Sequence, residues 1–169
     1  MKNKNAAYLA QGAMIAALYV VLTLFINAFN LASGAIQVRI SEALTILPVF
    51  TSTAVPGLFI GCILANILGG NHILDVVFGS LATLLGAIGT RKLRNAYPLL
   101  APVPPIVANT MVVPFVLKYA YGLPASVPFM MLTVCIGEAL SCGVLGMLLY
   151  YALRKRKEKV LREPQEENS

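Results

Sequence analysis

The run AAYLAQGAMIAALYVVLTLFINAF, Ala6 to Phe29, decides the fold. It holds no charged residue, and as a helix it would cover about 36 Å, against a bilayer hydrocarbon core of roughly 30 Å. It is too long for a signal peptide and lacks a small-residue cleavage site followed by a polar mature domain. Further apolar blocks of similar length follow it. Hydrophobic residues make up 58% of the 169-residue chain and charged residues only 12%, about half the share of a water-soluble domain. The reading is an all-α integral membrane protein.

Six apolar segments can be drawn, at about 6–28, 42–53, 55–70, 73–90, 98–119 and 127–152. The second and third are short and meet at a break around Val55-Pro56-Gly57. The 42–70 region therefore reads either as two short spans or as one span plus a re-entrant piece. Residues 1–153 form the expected transmembrane domain, and 154–169 a basic, then acidic, solvated tail. The three cysteines, Cys62, Cys135 and Cys142, lie inside apolar blocks and read as small hydrophobes without a disulfide.

Net charge is +6, but its placement excludes a nucleic-acid reading. With six spans, Lys2, Lys4, Arg91, Lys92, Arg94 and the basic residues from Arg154 to Arg162 share one side. Arg39 and Lys118 stand alone on the other. The positive-inside rule makes both termini cytoplasmic. Arg39, Glu42, His72, Asp75 and Tyr121 then fall near the outer face, Asn66 about one turn deep, and Asn109 and Glu138 near mid-membrane. A pocket open to the outside is expected.

Upstream of Glu158 the only acids are Glu42, Asp75 and Glu138, each in or against membrane-length apolar sequence. A carboxylate there is costly, so it is paired or used. Arg39 and Glu42, three apart, would share a helix face, either as an anchoring ion pair or as a gate that touches ligand. His72 and Asp75, also three apart, lack a third metal ligand at suitable spacing, and no metal is expected. Asp75 suits the first turn of a helix, where the dipole favours negative charge. Glu138 sits among Gly137, Ala139, Ser141 and Gly143, small residues that admit a close neighbour, with Asn109 as a possible partner.

On the first helix Ala6/Ala10, Gly12/Ala16 and Ala13/Ala17 place small residues four apart. Such a stripe packs either on the chain's own helices or on another membrane subunit. There is no Gly-x4-Gly-Lys-Ser/Thr loop to bind ATP, and a single histidine with no hydrolase constellation. No enzymatic activity and no cofactor are expected. A self-sufficient secondary transporter, proton-coupled through Glu138, is a competing reading, weakened by small size and the lack of an inverted repeat.

Five stretches carry a family resemblance: QVRISEALT (37–45), LPVFT (47–51), VPGLFIGC (55–62), LAN (64–66) and DVVFGSLAT (75–83). Together they resemble the QueT family, the queuosine-precursor substrate-binding (S) components of energy-coupling factor (ECF) transporters. The resemblance extends from the first helix to about residue 152. It implies a six-helix bundle in the lipid bilayer, working with a transmembrane coupling protein and two cytoplasmic ATPases, with the small-residue stripe docking the coupling protein. It also implies a 7-deazaguanine ligand, such as the aminomethyl form or queuine. The adjacent N–H donors of such a base suit a carboxylate, here Glu138, and an amine suits Asp75 or Glu42. Asn66, Asn109 or Gln37 would then donate to the ring oxygen, and Phe78 or Tyr121 would stack on the base.

Overall fold

The computed structural model describes residues 2–28 and 39–154. Gln37, the tail beyond Arg154 and the rest of the segment before Arg39 lie outside the described residues. Among the described residues there is no strand. Helix α1 runs Lys2–Ala28, a 3₁₀ helix Ile40–Val49, and α2 Ala54–Leu68. A π segment, Asp75–Gly79, leads into α3, Ser80–Leu93. Helix α4 covers Val103–Tyr121, and α5, Val127–Glu138, continues through a second π segment, Ala139–Leu145, into α6, Gly146–Arg154.

Four stretches are long and apolar enough to cross a membrane: Asn5–Ala28, Asp75–Leu93, Pro98–Tyr121 and Val127–Arg154. The two apolar helices between the first and second of these are shorter, about 20 Å for the 3₁₀ helix and about 22 Å for α2. The break expected around Val55-Pro56-Gly57 falls earlier, between Val49 and Ala54, and Pro56 and Gly57 lie in the first turn of α2, where proline is tolerated. The preceding segment is a 3₁₀ helix that closes at Val49.

This 3₁₀ helix is the central pillar of the bundle. Residues Ser41 to Pro48 are all buried, and α1, α2, α3, α6 and the second π segment pack around it. Ten residues is long for 3₁₀ geometry, and a ladder of i, i+3 bonds marks both ends: Glu42 N–H to the Arg39 carbonyl and Phe50 N–H to the Leu47 carbonyl, each 2.9 Å. Helix packing holds the narrow pillar in place. Where the chain leaves it, Gln11 Oε1 of α1 accepts hydrogen bonds from Thr51 Oγ1 (3.1 Å) and Thr53 Oγ1 (2.9 Å), so the polar turn is satisfied inside the bundle.

Lipid tails are as apolar as leucine, so helices here associate by close packing rather than by hydrophobic transfer. At Gly61 of α2 an added Cβ would lie 3.0 Å from Ala16 Cα, and at Gly86 of α3 it would lie 2.7 Å from Pro105 Cα of α4. Both crossings depend on the missing side chain. Polarity is inverted relative to a soluble domain. Leu9, Met14, Val21, Ile73 and Leu148 are exposed, while Glu42, Thr45, Asn66, Asp75, Asn109 and Glu138 are buried. Inverted polarity together with four spanning-length helices makes this a multi-pass membrane protein.

Candidate functional site: a carboxylate cluster inside the bundle

The pillar and the two π-interrupted helices converge on a polar interior within an apolar shell. Its inner wing is built on Glu42 and Glu138. Tyr19, buried on α1, donates its hydroxyl to Glu42 Oε1, while Glu42 Oε2 is buried with no hydrogen-bond partner among the described residues. Glu138 ends α5, and Cys142, four residues on, donates to Glu138 Oε2 at 3.2 Å and to the Glu42 carbonyl at 3.5 Å. Thr45 Oγ1 donates to the same carbonyl at 2.6 Å.

A carboxylate oxygen from each glutamate and the Cys142 sulfur lie within 4.8 Å of one another. The buried Asn109 amide of α4 lies beside both acids. These donor types would suit a divalent cation only after the thiol, here a hydrogen-bond donor, lost its proton.

The outer wing is built on Asp75, the first residue of its π segment. Asp75 Oδ2 accepts the Tyr121 hydroxyl at 3.1 Å, and that hydroxyl accepts the His72 N–H, also at 3.1 Å. Asp75 Oδ1 is buried with no hydrogen-bond partner among the described residues. A Cβ at Gly79, one turn along, would stand 3.1 Å from this oxygen, so glycine leaves the carboxylate its space. Asn66 Nδ2 donates to the Asp75 carbonyl at 3.2 Å, and its Oδ1 accepts from Asn71 at 2.8 Å. His72 Nδ1 accepts the Leu74 amide at 3.2 Å, which makes His72 a cap for the helix start.

Arg39 joins the wings. Its backbone N–H donates to Ser141 Oγ at 3.1 Å. Burial works against its charge, but the nearby Asp75, then Tyr19 and Glu42, raise its pKa above the ordinary arginine value, so the guanidinium stays cationic. The expectation that Arg39 and Glu42 pair along one helix face needs correction. The helix begins at Ile40, Arg39 has extended backbone (φ −103°, ψ 96°), and it is Tyr19 that takes the Glu42 carboxylate.

The interior thus brings together Glu42, Glu138, Asn109, Arg39, Asp75 and Asn66. Phe78 stands apart. It is half-exposed and lines an outward-facing apolar groove of about 310 Å³ with Leu74, Met111, Phe115 and Tyr119. The small-residue stripe on α1 divides. Gly12 and Ala16 pack against Gly57 and Gly61 of α2, whereas Ala6, Ala10, Ala13 and Ala17 are exposed on an adjacent face of the helix.

Tyr19 and Cys142 complete the inner wing, and neither carries a charge that would mark it in the sequence. A signal for Tyr19 was present: it is the one tyrosine of seven in the middle of the first apolar block, where a hydroxyl needs a partner. Chemically, buried carboxylate oxygens of this kind, with amides beside them, suit N–H donors or positive charge.

Comparison with known proteins agrees with a transport role. A curated relative from Lactococcus lactis subsp. cremoris (strain MG1363), named queuosine precursor transporter QueT, is 34% identical over 85 residues. That match spans 50% of this chain and 50% of the relative, so about half of the relative's length is covered. No solved structure matches. The family model described as QueT transporter matches residues 9–155, which takes in every element that builds the cluster. The chain belongs to the QueT transporter family.

Proposed function

We propose that this chain is the substrate-binding membrane subunit of an ATP-driven ECF importer and captures a queuosine precursor of the 7-deazaguanine type from outside the cell. One observation carries the ligand class: Glu42 Oε2 and Asp75 Oδ1 are buried acceptors with no hydrogen-bond partner among the described residues. A buried acceptor left unpaired costs about 1–3 kcal/mol, and more when charged, so a ligand that supplies donors recovers that loss. Glu138 and Glu42 meet the N–H edge of the base or an appended amine, and Asp75 serves the outer end. Asn109 and Asn66 contribute amide donors.

The bundle crosses the membrane six times, the two short helices included, with both termini in the cytoplasm and residues 1–153 as its binding domain. Energy comes from a transmembrane coupling protein and two cytoplasmic ATPases. The exposed Ala6, Ala10, Ala13 and Ala17 are the docking stripe, because Gly12 and Ala16 are already spent on α2.

The test is reconstitution in vesicles, first of the purified chain alone and then with coupling protein and ATPases, while uptake of labelled 7-deazaguanines is followed. Uptake should require all components and ATP. Proton-driven uptake by the chain alone would refute the subunit assignment.

A further inference from the structure

We propose that Glu42 and Glu138 hold one proton between them in the ligand-free protein, and that a ligand ammonium group takes the place of that proton. The inference rests on the bundle being the substrate site and names the ligand that site prefers: a monocation, bound in exchange for a proton released to water.

The geometry supplies the argument. Two carboxylate oxygens within 4.8 Å of each other and of a thiol, all buried, cannot both carry full charge without a counter-ion. The donors around them do not provide one. Tyr19 on α1 and Cys142 on the second π segment are neutral donors, α2 brings the neutral Cys62 thiol near Glu42, and α4 contributes the neutral Asn109 amide. Helix α3 brings Arg91 to the far end of the pillar, where its guanidinium donates to the Pro48 carbonyl at 3.1 Å, and α6 brings Tyr150 against Phe50; the groups acting on the pair itself are those of α1, α4, the second π segment and Arg39.

Arg39 is the one cation among those groups, and Asp75 draws on it as well. Three acids against one guanidinium leave two surplus negative charges, and a single proton on the pair removes one of them. Exchanging that proton for an ammonium keeps the buried charge constant. A neutral ligand has nothing to exchange. The exchange is a property of binding equilibrium and holds whichever protein supplies the energy for transport.

Isothermal calorimetry on the purified full chain tests this. Binding of 7-aminomethyl-7-deazaguanine is measured near neutral pH in buffers of different ionisation enthalpy, with 7-cyano-7-deazaguanine as the uncharged control. The alkyl amine, with a pKa of about 10, stays charged throughout, so it adds no proton of its own. The expected slope of heat against buffer enthalpy is close to one proton released per amine bound and close to zero for the nitrile. Affinity for the amine should rise by up to about tenfold per pH unit where the pair holds its proton.

In Glu42→Gln the released proton should disappear. Should that variant fail to fold, the amine–nitrile comparison on the unmodified protein decides alone. Amine binding with no proton released, or an equal release with the nitrile, overturns the exchange and leaves the transport assignment standing. Binding of neither compound overturns both.

Discussion

Replacing Glu138 by glutamine should move stability and binding in opposite directions, and that pattern separates a ligand-binding acid from a structural one. Glutamine is isosteric and keeps an acceptor for the Cys142 thiol, 3.2 Å from Oε2 in the parent. Its new N–H₂ group can be accepted by Glu42 Oε2, which has no partner now. The change also removes a like charge within 4.8 Å of Glu42. At an effective dielectric of about 20, full repulsion at that distance is roughly 3 kcal/mol. A proton already shared by the pair would leave a smaller gain near neutral pH and a larger one under alkaline conditions.

The melting temperature in detergent should therefore equal or exceed that of the parent, and the difference should widen as pH increases. Binding should suffer, because a charged hydrogen-bond partner contributes about 1.5–3 kcal/mol. That corresponds to roughly a 10- to 150-fold loss of affinity for 7-deazaguanines by calorimetry. A variant that melts several degrees lower, with unchanged affinity in the folded fraction, would show that Glu138 is a structural hydrogen-bond partner. It would remove this residue from the site.

Two further substitutions probe the frame and the outer wing. Gly61→Leu places a side chain where even a Cβ would lie 3.0 Å from Ala16 Cα. Overpacking of this kind costs about 1–3 kcal/mol, so a thermal scan should show a clear loss of stability. Tyr121→Phe deletes the hydroxyl shared by Asp75 and the His72 amide. Tyr121 is partly exposed, so the expected effect is a loss of affinity of no more than about tenfold with little change in melting temperature. An unaltered affinity would take Tyr121 out of the binding argument.

The cost of charge in an apolar setting located the acids directly from the sequence, and all three lie in one interior with Asn66 and Asn109. The same reasoning passed over Tyr19 and Cys142. A neutral donor inside an apolar run carries no visible penalty, and its importance emerges only when the acid it serves is placed beside it. Pairing Arg39 with Glu42 assumed that both side chains stand on one helix face, whereas Arg39 is the extended cap residue before the helix and Asp75 draws on its charge as well.

The α1 stripe shows a similar limit. Gly12/Ala16 and Ala13/Ala17 have the same spacing and point about 100° apart. The positions of Gly57 and Gly61 decide which pair is consumed by α2. Helix face likewise separates Phe78 from Asp75: three residues apart in sequence, one lines the outer groove and the other the interior.

The two π segments follow from sequence spacing once the inward residues are known. Along the last helix, Val134, Glu138, Cys142, Gly146 and Tyr150 are all buried, at strict intervals of four. In a regular α-helix each such step drifts by about 40°, so four steps would carry Tyr150 about 160° around, nearly to the lipid side. The π segment Ala139–Leu145 holds more residues per turn and so takes up part of that drift. Asp75, Gly79, Thr83 and Ala87 repeat the pattern, also buried at intervals of four, and the π segment Asp75–Gly79 opens that run. In each helix the irregular segment begins at the acid or immediately after it. The wider turn therefore keeps the residues that follow on the inward face: Cys142 against Glu138 in one helix, Gly79 beside Asp75 in the other. A uniform α-helix could bury either acid, but it would turn the later members of each run progressively toward lipid. The backbone irregularity is thus a consequence of lining one interior with a four-residue repeat.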